Sequence, residues 1–161
     1  MSKAEENHNK IIAQLCDRMA SYCAYRERSP REVFDKIKKE GVSQEVAEEV
    51  VEKLRDEGFL NEERFASAFV HDKFRLQKWG RIKIRQHLRA HKVEPTVLET
   101  SLYNATPDEA YEELLNELLI KKAATLKGQP ALQKKQKVTR FLLQRGFENE
   151  LIREAMDNHL P

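Results

Sequence analysis

The chain is short of the residues that break a helix, with five glycines and five prolines among 161 residues. It also lacks any convincing stretch of alternating apolar and polar residues, so strands are not expected and a nearly all-helical protein is. It has two cysteines, Cys16 and Cys23. They stand seven positions apart on an expected helix, about 10 Å along its axis, too far for a disulfide and without metal-site spacing. They read as buried thiols in a reducing compartment. Nowhere is there an apolar run long enough to span a membrane, and Met1 to Lys10 is polar, unlike a signal peptide. The expectation is a cytoplasmic protein with no membrane association.

Catalytic signals are absent as well. There is no glycine-rich phosphate loop, no Gly-x-Ser-x-Gly elbow and no evident Cys-His pairing. No catalytic residue, cofactor or small-molecule substrate is therefore expected. His87 and His91 have the i, i+4 spacing of a metal pair, but cationic neighbours oppose a dication and no carboxylate or thiol lies nearby in sequence. No metal site is expected.

What the chain has is charge in blocks. Charged residues make up 35% and the net charge is only +2, yet residues 40 to 63 are acidic and residues 73 to 92 carry no carboxylate. Lys73, Arg75, Lys78, Arg81, Lys83, Arg85, Arg89 and Lys92 fall in that second block. Another acid-free stretch runs from Lys121 to Arg145 and holds Lys121, Lys122, Lys127, Lys134, Lys135, Lys137 and Arg140.

Apolar residues recur at three-and-four spacing throughout, and punctuation divides them into nine helices. The first spans residues 5 to 27. Ser29-Pro30-Arg31-Glu32 is a capping box that opens the second, which ends at Gly41. Ser43 caps the third. Gly58 has the place of a left-handed residue closing that helix, Phe59 and Leu60 are expected to pack back on it, and Asn61 caps the fourth, Glu62 to about Gln77. Trp79-Gly80 precedes the fifth, Arg81 to about His91. Glu94-Pro95 opens the sixth, and Thr106-Pro107-Asp108-Glu109 has the pattern of a second capping box opening the seventh. Lys127-Gly128-Gln129-Pro130 separates an eighth, which stops at Gly146 before a ninth.

A repeat runs through this series. Val33, Ile37, Val42, Val46 and Val51 correspond to Ile84, Leu88, Val93, Val97 and Leu102 at an offset of 51, and again to Val138, Leu142, Phe147, Leu151 and Met156 at a further offset of 54. Three tandem three-helix units follow, forming an elongated or bent all-α array: residues 1–59 with an acidic third helix, 60–105 basic, and 106–161 basic.

Three segments resemble the RecX regulatory proteins, bacterial modulators of the RecA recombinase. Arg26-Glu27-Arg28-Ser29-Pro30-Arg31-Glu32-Val33, continuing to Gly41, is similar to that family's R-x-x-S-x-x-E-L pattern. Leu54 through Ala66, with Gly58, Phe59, Asn61 and Phe65, resembles its most specific signature. Gly80 to Leu88 resembles G-x-x-[RK]-I-x-x-x-L, with the basic residue one position early at Arg81. The glycine the family places after the fifth helix is here Lys92. The resemblance implies a non-enzymatic protein that lodges along the RecA nucleoprotein filament and restrains its growth, its ATP turnover and its recombinase activity.

On a helical wheel of the fifth helix, Leu88 and His91 lie within about 40° of Ile84, whereas Arg81, Arg85, Arg89 and Lys92 lie about 60° to 140° round. With no carboxylate at i±4, and with Lys73, Arg75 and Lys78 extending it backwards, this stripe is the expected contact with acidic groups of RecA or with filament phosphates. Lys121, Lys122, Lys134, Lys135 and Arg140 are expected to extend it. A solvated basic face remains the plainer alternative, as does a helical module acting directly on DNA. Trp79 reads as a packing anchor or as a base-stacking platform.

Overall fold

The computed structural model describes residues 1–161 as nine helices: α1 Lys3–Tyr25, α2 Pro30–Lys38, α3 Gln44–Asp56, α4 Glu62–Arg75, α5 Arg81–Ala90, α6 Pro95–Ala105, α7 Asp108–Thr125, α8 Ala131–Gln144 and α9 Asn149–His159. Local chemistry sets most of the boundaries. Ser29 accepts from the Glu32 N–H while the Glu32 carboxylate accepts from the Ser29 N–H, a complete capping box. Asn61 Oδ1 accepts from the Arg64 N–H at 2.8 Å, and Ser43 and Glu94 cap α3 and α6 in the same manner.

Several details depart from the sequence reading, among them the end of α2, which falls at Lys38 rather than Gly41. Helix α4 stops at Arg75, two residues early, because Leu76 and Gln77 both donate to Asp72 O and Lys78 turns to φ 57°. The second capping box does not form. The Thr106 hydroxyl is buried, donates to Leu102 O and accepts from Arg81 Nε, leaving α7 without a side-chain cap. At the joint after α3, Gly58 is left-handed at φ 81° and Leu60 packs back as expected, but Phe59 stays 41% exposed.

The repeat sets the packing. Val33, Ile84 and Val138 are buried at one register position, Ile37, Leu88 and Leu142 at the next, and Val51, Leu102 and Met156 at another. Burial of each such side chain contributes about 1.5–3 kcal/mol. Gly41, Lys92 and Gly146 are equivalent positions, and all three are left-handed, at φ 80°, 64° and 97°. The backbone geometry has therefore persisted at Lys92 without the glycine that suits it.

Helices α1 to α3 enclose one apolar core, closed from the far side by Leu60. Helices α4 to α9 share a second, continuous core, joined where Tyr111 of α7 lies against Phe74 of α4 and Phe147 after α8. The last two units are thus bound to each other more intimately than either is to the first.

That second junction is built on the start of α5. Gly80 has no side chain to cap the helix, and the third unit supplies the acceptors instead. The Gly80 N–H donates to Arg145 O at 2.7 Å, the Ile82 N–H to Gly146 O at 3.0 Å, and the Arg81 N–H to Tyr111 Oη at 2.8 Å. Such an approach requires both glycines: a Cβ on Gly80 would stand 2.3 Å from Gly146 C, and one on Gly146 would stand 2.4 Å from Lys83 Cβ. The first junction is polar. Ser29 Oγ meets His91 Nδ1 at 2.9 Å, Arg64 pairs with Glu27 at 2.9 Å, and Arg55 pairs with Glu62 at 3.1 Å.

Candidate partner-binding surface

The arginine stripe of α5 is less free than its wheel suggests, because neighbouring helices supply the carboxylates. Arg81 is 6% exposed. Its guanidinium donates to Thr106 Oγ1 at 2.9 Å, to Thr106 O and to Asp108 Oδ1 at 2.8 Å, and its Cζ lies 4.1 Å from the Tyr111 ring centre. Arg81 is therefore a structural cation, and the expected role in partner contact does not fit its position. Arg85 is half-buried and forked onto Glu99 of α6, at 2.7 and 3.3 Å, and the hydrogen bond to Glu99 raises its pKa further.

Further along, the pairing thins out. Lys78 Nζ lies 3.6 Å and Lys121 Nζ 2.8 Å from the same Glu117 carboxylate, whose pKa they lower, Lys121 foremost. Lys122 lies 5.2 Å from the centre of the Phe141 ring. Arg75, Arg89 and Lys92 are exposed and have no ion-pair partner, as is true of Arg140 on α8. Lys134 and Lys135 are half-buried and unpaired, and Lys135 and Arg140 flank the exposed Leu143.

The other flank of α5 carries a grouping that the wheel left aside. Trp79 is half-buried between α4 and α5. Lys73 Nζ lies 4.9 Å and Lys83 Nζ 4.3 Å from its ring centre, and the His87 ring centre is 4.6 Å away. Lys83 has no carboxylate within ion-pair reach, and Lys73 has only Asp72 at 3.9 Å. Arg145 follows at the edge of the third unit, with its guanidinium on Gln77 O at 2.7 Å and against Phe141. The i, i+4 pair Lys83 and His87 beside the chain's one tryptophan was the sequence signal for this grouping.

These placements divide the expected contact residues. Arg81 and Arg85 each have a carboxylate within the chain, and Lys78 and Lys121 share one. Of the expected residues, Lys73 lies against aromatic rings, where Lys83 and Arg145, outside the expected set, join it near the meeting of the second and third units, and Arg75, Arg89, Lys92, Lys134, Lys135 and Arg140 form no ion pair. An ammonium held over a ring keeps its charge and loses some freedom, which suits it to binding an anion.

The signature residues serve the scaffold. Ser29 and Glu32 form the capping box, Gly58 and Asn61 the joint, Phe65 packs on Phe69 and His91, and Gly80 makes the close approach to Gly146. Cys16 and Cys23 are free thiols, half-buried and buried, and burial pushes both pKa values up. No helix is long and apolar enough to cross a membrane.

Comparison with known proteins assigns the scaffold. Family models described as the first, second and third three-helix domains of RecX match residues 17–54, 61–102 and 109–156. A regulatory protein RecX of Prosthecochloris aestuarii is 32% identical over 144 residues, 89% of this chain and 92% of the relative. One of Halalkalibacterium halodurans is 32% identical over 134 residues, 83% of this chain but 50% of the relative. The chain thus spans nearly all of the first and about half the length of the second. A crystal structure of a regulatory protein RecX superposes with a TM-score of 0.85 at 26% identity, covering 96% of this chain and 75% of that one. A second, from Lactobacillus salivarius, superposes at 0.81 with 21% identity, covering 91% and 95%, a likeness of fold. With three tandem three-helix units matched in order and a relative aligned over nearly its whole length, this chain belongs to the RecX family.

Proposed function

We propose that this protein binds the RecA nucleoprotein filament and restrains its growth, its ATP turnover and strand exchange. It acts in the cytoplasm as a monomer, without a cofactor and without catalysing a reaction, in the control of recombinational DNA repair. The observation that carries this reading is the collection of unneutralised cations where the second and third units meet. The hydrogen-bonded junction at Gly80 and Gly146 holds those cations in one arrangement. A surface of that kind meets acidic groups of RecA, or the phosphates the filament encloses, without reorganising its backbone.

The test is RecA with single-stranded DNA and ATP. Substoichiometric addition of the protein is expected to depress ATP turnover and filament growth, and no change across a wide concentration range defeats the reading. Replacing Lys83 and Arg89 by Glu should relieve the inhibition with the helical circular dichroism unchanged. A second reading, a helical module acting on DNA itself, is favoured by the lysines around Trp79. Comparing affinity for naked DNA with affinity for the RecA filament separates the two.

A further inference from the structure

The grouping around Trp79 contains, besides its lysines, a side chain that titrates near neutral pH. Lys73 approaches the indole from α4 and Lys83 from α5, while His87, one turn beyond Lys83, completes the ring of nitrogens at a centroid distance of 4.6 Å. Two ammonium groups gathered on one small ring repel each other and any charge on the imidazole. The ring's electron-rich face holds them there. The one carboxylate in reach is that of Asp72, 3.9 Å from Lys73. Cationic groups gathered around one ring with little counter-charge describe the surroundings of an anion. The aromatic plane among them favours a nucleic-acid strand, whose bases and sugars accompany its phosphates, over a carboxylate strip on a protein.

We propose that Lys73, Lys83 and His87 around Trp79 form a binding site for the phosphodiester backbone of a nucleic-acid strand, and that His87 takes up a proton from solvent as the phosphate arrives. The site rests on the reading of this surface as the one that meets the filament, but it can be occupied by DNA alone.

The proton follows from the charges. In the free protein, burial and then the repulsion of Lys83 and Lys73 lower the His87 pKa below its ordinary 6.5. The charged groups acting on His87 are those two lysines, from its own helix and from α4; His91, one turn further along α5, has a lowered pKa of its own, to which charge on His87 contributes. A phosphodiester bound beside the lysines offsets their positive charge and pairs with an imidazolium, so the same side chain titrates higher in the complex. Neutral imidazole and one proton give imidazolium, and no bond in the nucleic acid is made or broken. Because binding takes up a proton, affinity must rise as pH falls, by up to about tenfold per pH unit between the free and bound pKa values.

Trp79 is the chain's one tryptophan, so its fluorescence reports on this site. The full chain is titrated with a short oligodeoxythymidylate at constant salt, from about pH 8 to about pH 6, the range in which a histidine changes charge. A saturable change in Trp79 emission is expected, with affinity several-fold higher at the acid end. His87→Gln should remove that dependence on pH, and Lys83→Gln should weaken binding at every pH. In the unsubstituted protein, the NMR titration midpoint of His87 should move upward when the oligonucleotide is present. The proposal is overturned by an unperturbed Trp79, by an unmoved His87 midpoint, or by equal pH slopes in the two proteins. If RecA inhibition holds while the oligonucleotide fails to bind, the function stands and this site does not.

Discussion

Ser29 Oγ and His91 Nδ1, 62 positions apart in sequence, meet at 2.9 Å and join the N-cap of α2 to the end of α5. The same Oγ accepts from the Glu32 N–H. The hydroxyl thus serves the helix N-terminus and the imidazole at once, with the Glu32 carboxylate 3.7 Å from the same Nδ1. One serine both starts a helix and ties the first unit to the second.

Two consequences can be measured. Ser29→Ala should cost about 1–2 kcal/mol, because it removes both the cap and the bond to His91, and thermal unfolding would show it. The pH dependence has a definite sign. Burial lowers the His91 pKa below 6.5, and the Glu32 carboxylate offsets this only in part. The unfolded state then binds more protons between the folded value and 6.5, so stability falls as pH drops through that window and is fully present above it. His91→Gln should flatten this part of the profile in urea unfolding followed by circular dichroism.

The glycine contact between the last two units predicts a large effect from a small change. Gly146→Ala brings a methyl group to 2.4 Å from Lys83 Cβ at a position with φ 97°. Gly80→Ala places one 2.3 Å from Gly146 C and 2.5 Å from Phe147 N. Neither neighbour can yield without shifting backbone, so each substitution should cost about 2–4 kcal/mol, read from the urea midpoint. Gly41→Ala meets nothing within 4 Å and keeps only its backbone strain at φ 80°, about 1 kcal/mol.

Lys92 offers a change in the other direction. It holds φ 64° at the position where the first and third units have Gly41 and Gly146, it is exposed, and it forms no ion pair. Lys92→Gly relieves the left-handed strain and adds disorder to the unfolded chain, for a net gain of about 0.5 kcal/mol and a small rise in Tm.

The sequence carried the scaffold better than the surface, for a physical reason. Caps such as Ser29 and Asn61, and the helix stop at Gly58, act within a few residues of themselves, and the offset of 51 records one packing solution used repeatedly. Charge compensation is not local. The wheel of α5 shows no acid near Arg81 or Arg85 because the acids are Asp108 and Glu99, on α7 and α6. Thr106 failed as a cap for the same reason: Arg81, 25 positions back, had claimed its oxygens. Lys83 reads in the sequence as one more member of the basic block, on a flank that only the approach of Trp79 and Lys73 makes significant.

Arg81 and Tyr111 supply the clearest separation of scaffold from contact surface. Tyr111 Oη accepts from the Arg81 N–H at 2.8 Å and donates to Glu148 Oε1. Its pKa is raised, by burial first and by the Glu148 carboxylate second, so the phenol keeps its proton. Tyr111→Phe leaves the ring packed on Phe74 and Phe147 while stranding the helix N–H and the carboxylate, and should cost about 1–3 kcal/mol. Arg81→Ala leaves the Thr106 carbonyl without its guanidinium partner and opens space beside two tyrosines, and should cost about 2–4 kcal/mol. Asp108 is largely exposed, so its charge returns to water and softens that loss. Arg89→Glu, on an exposed and unpaired side chain, should stay within about 0.5 kcal/mol of the original stability. Unfolding curves for the three variants should therefore fall into two groups. A stable Arg81→Ala protein with an unshifted midpoint would return Arg81 to the contact surface.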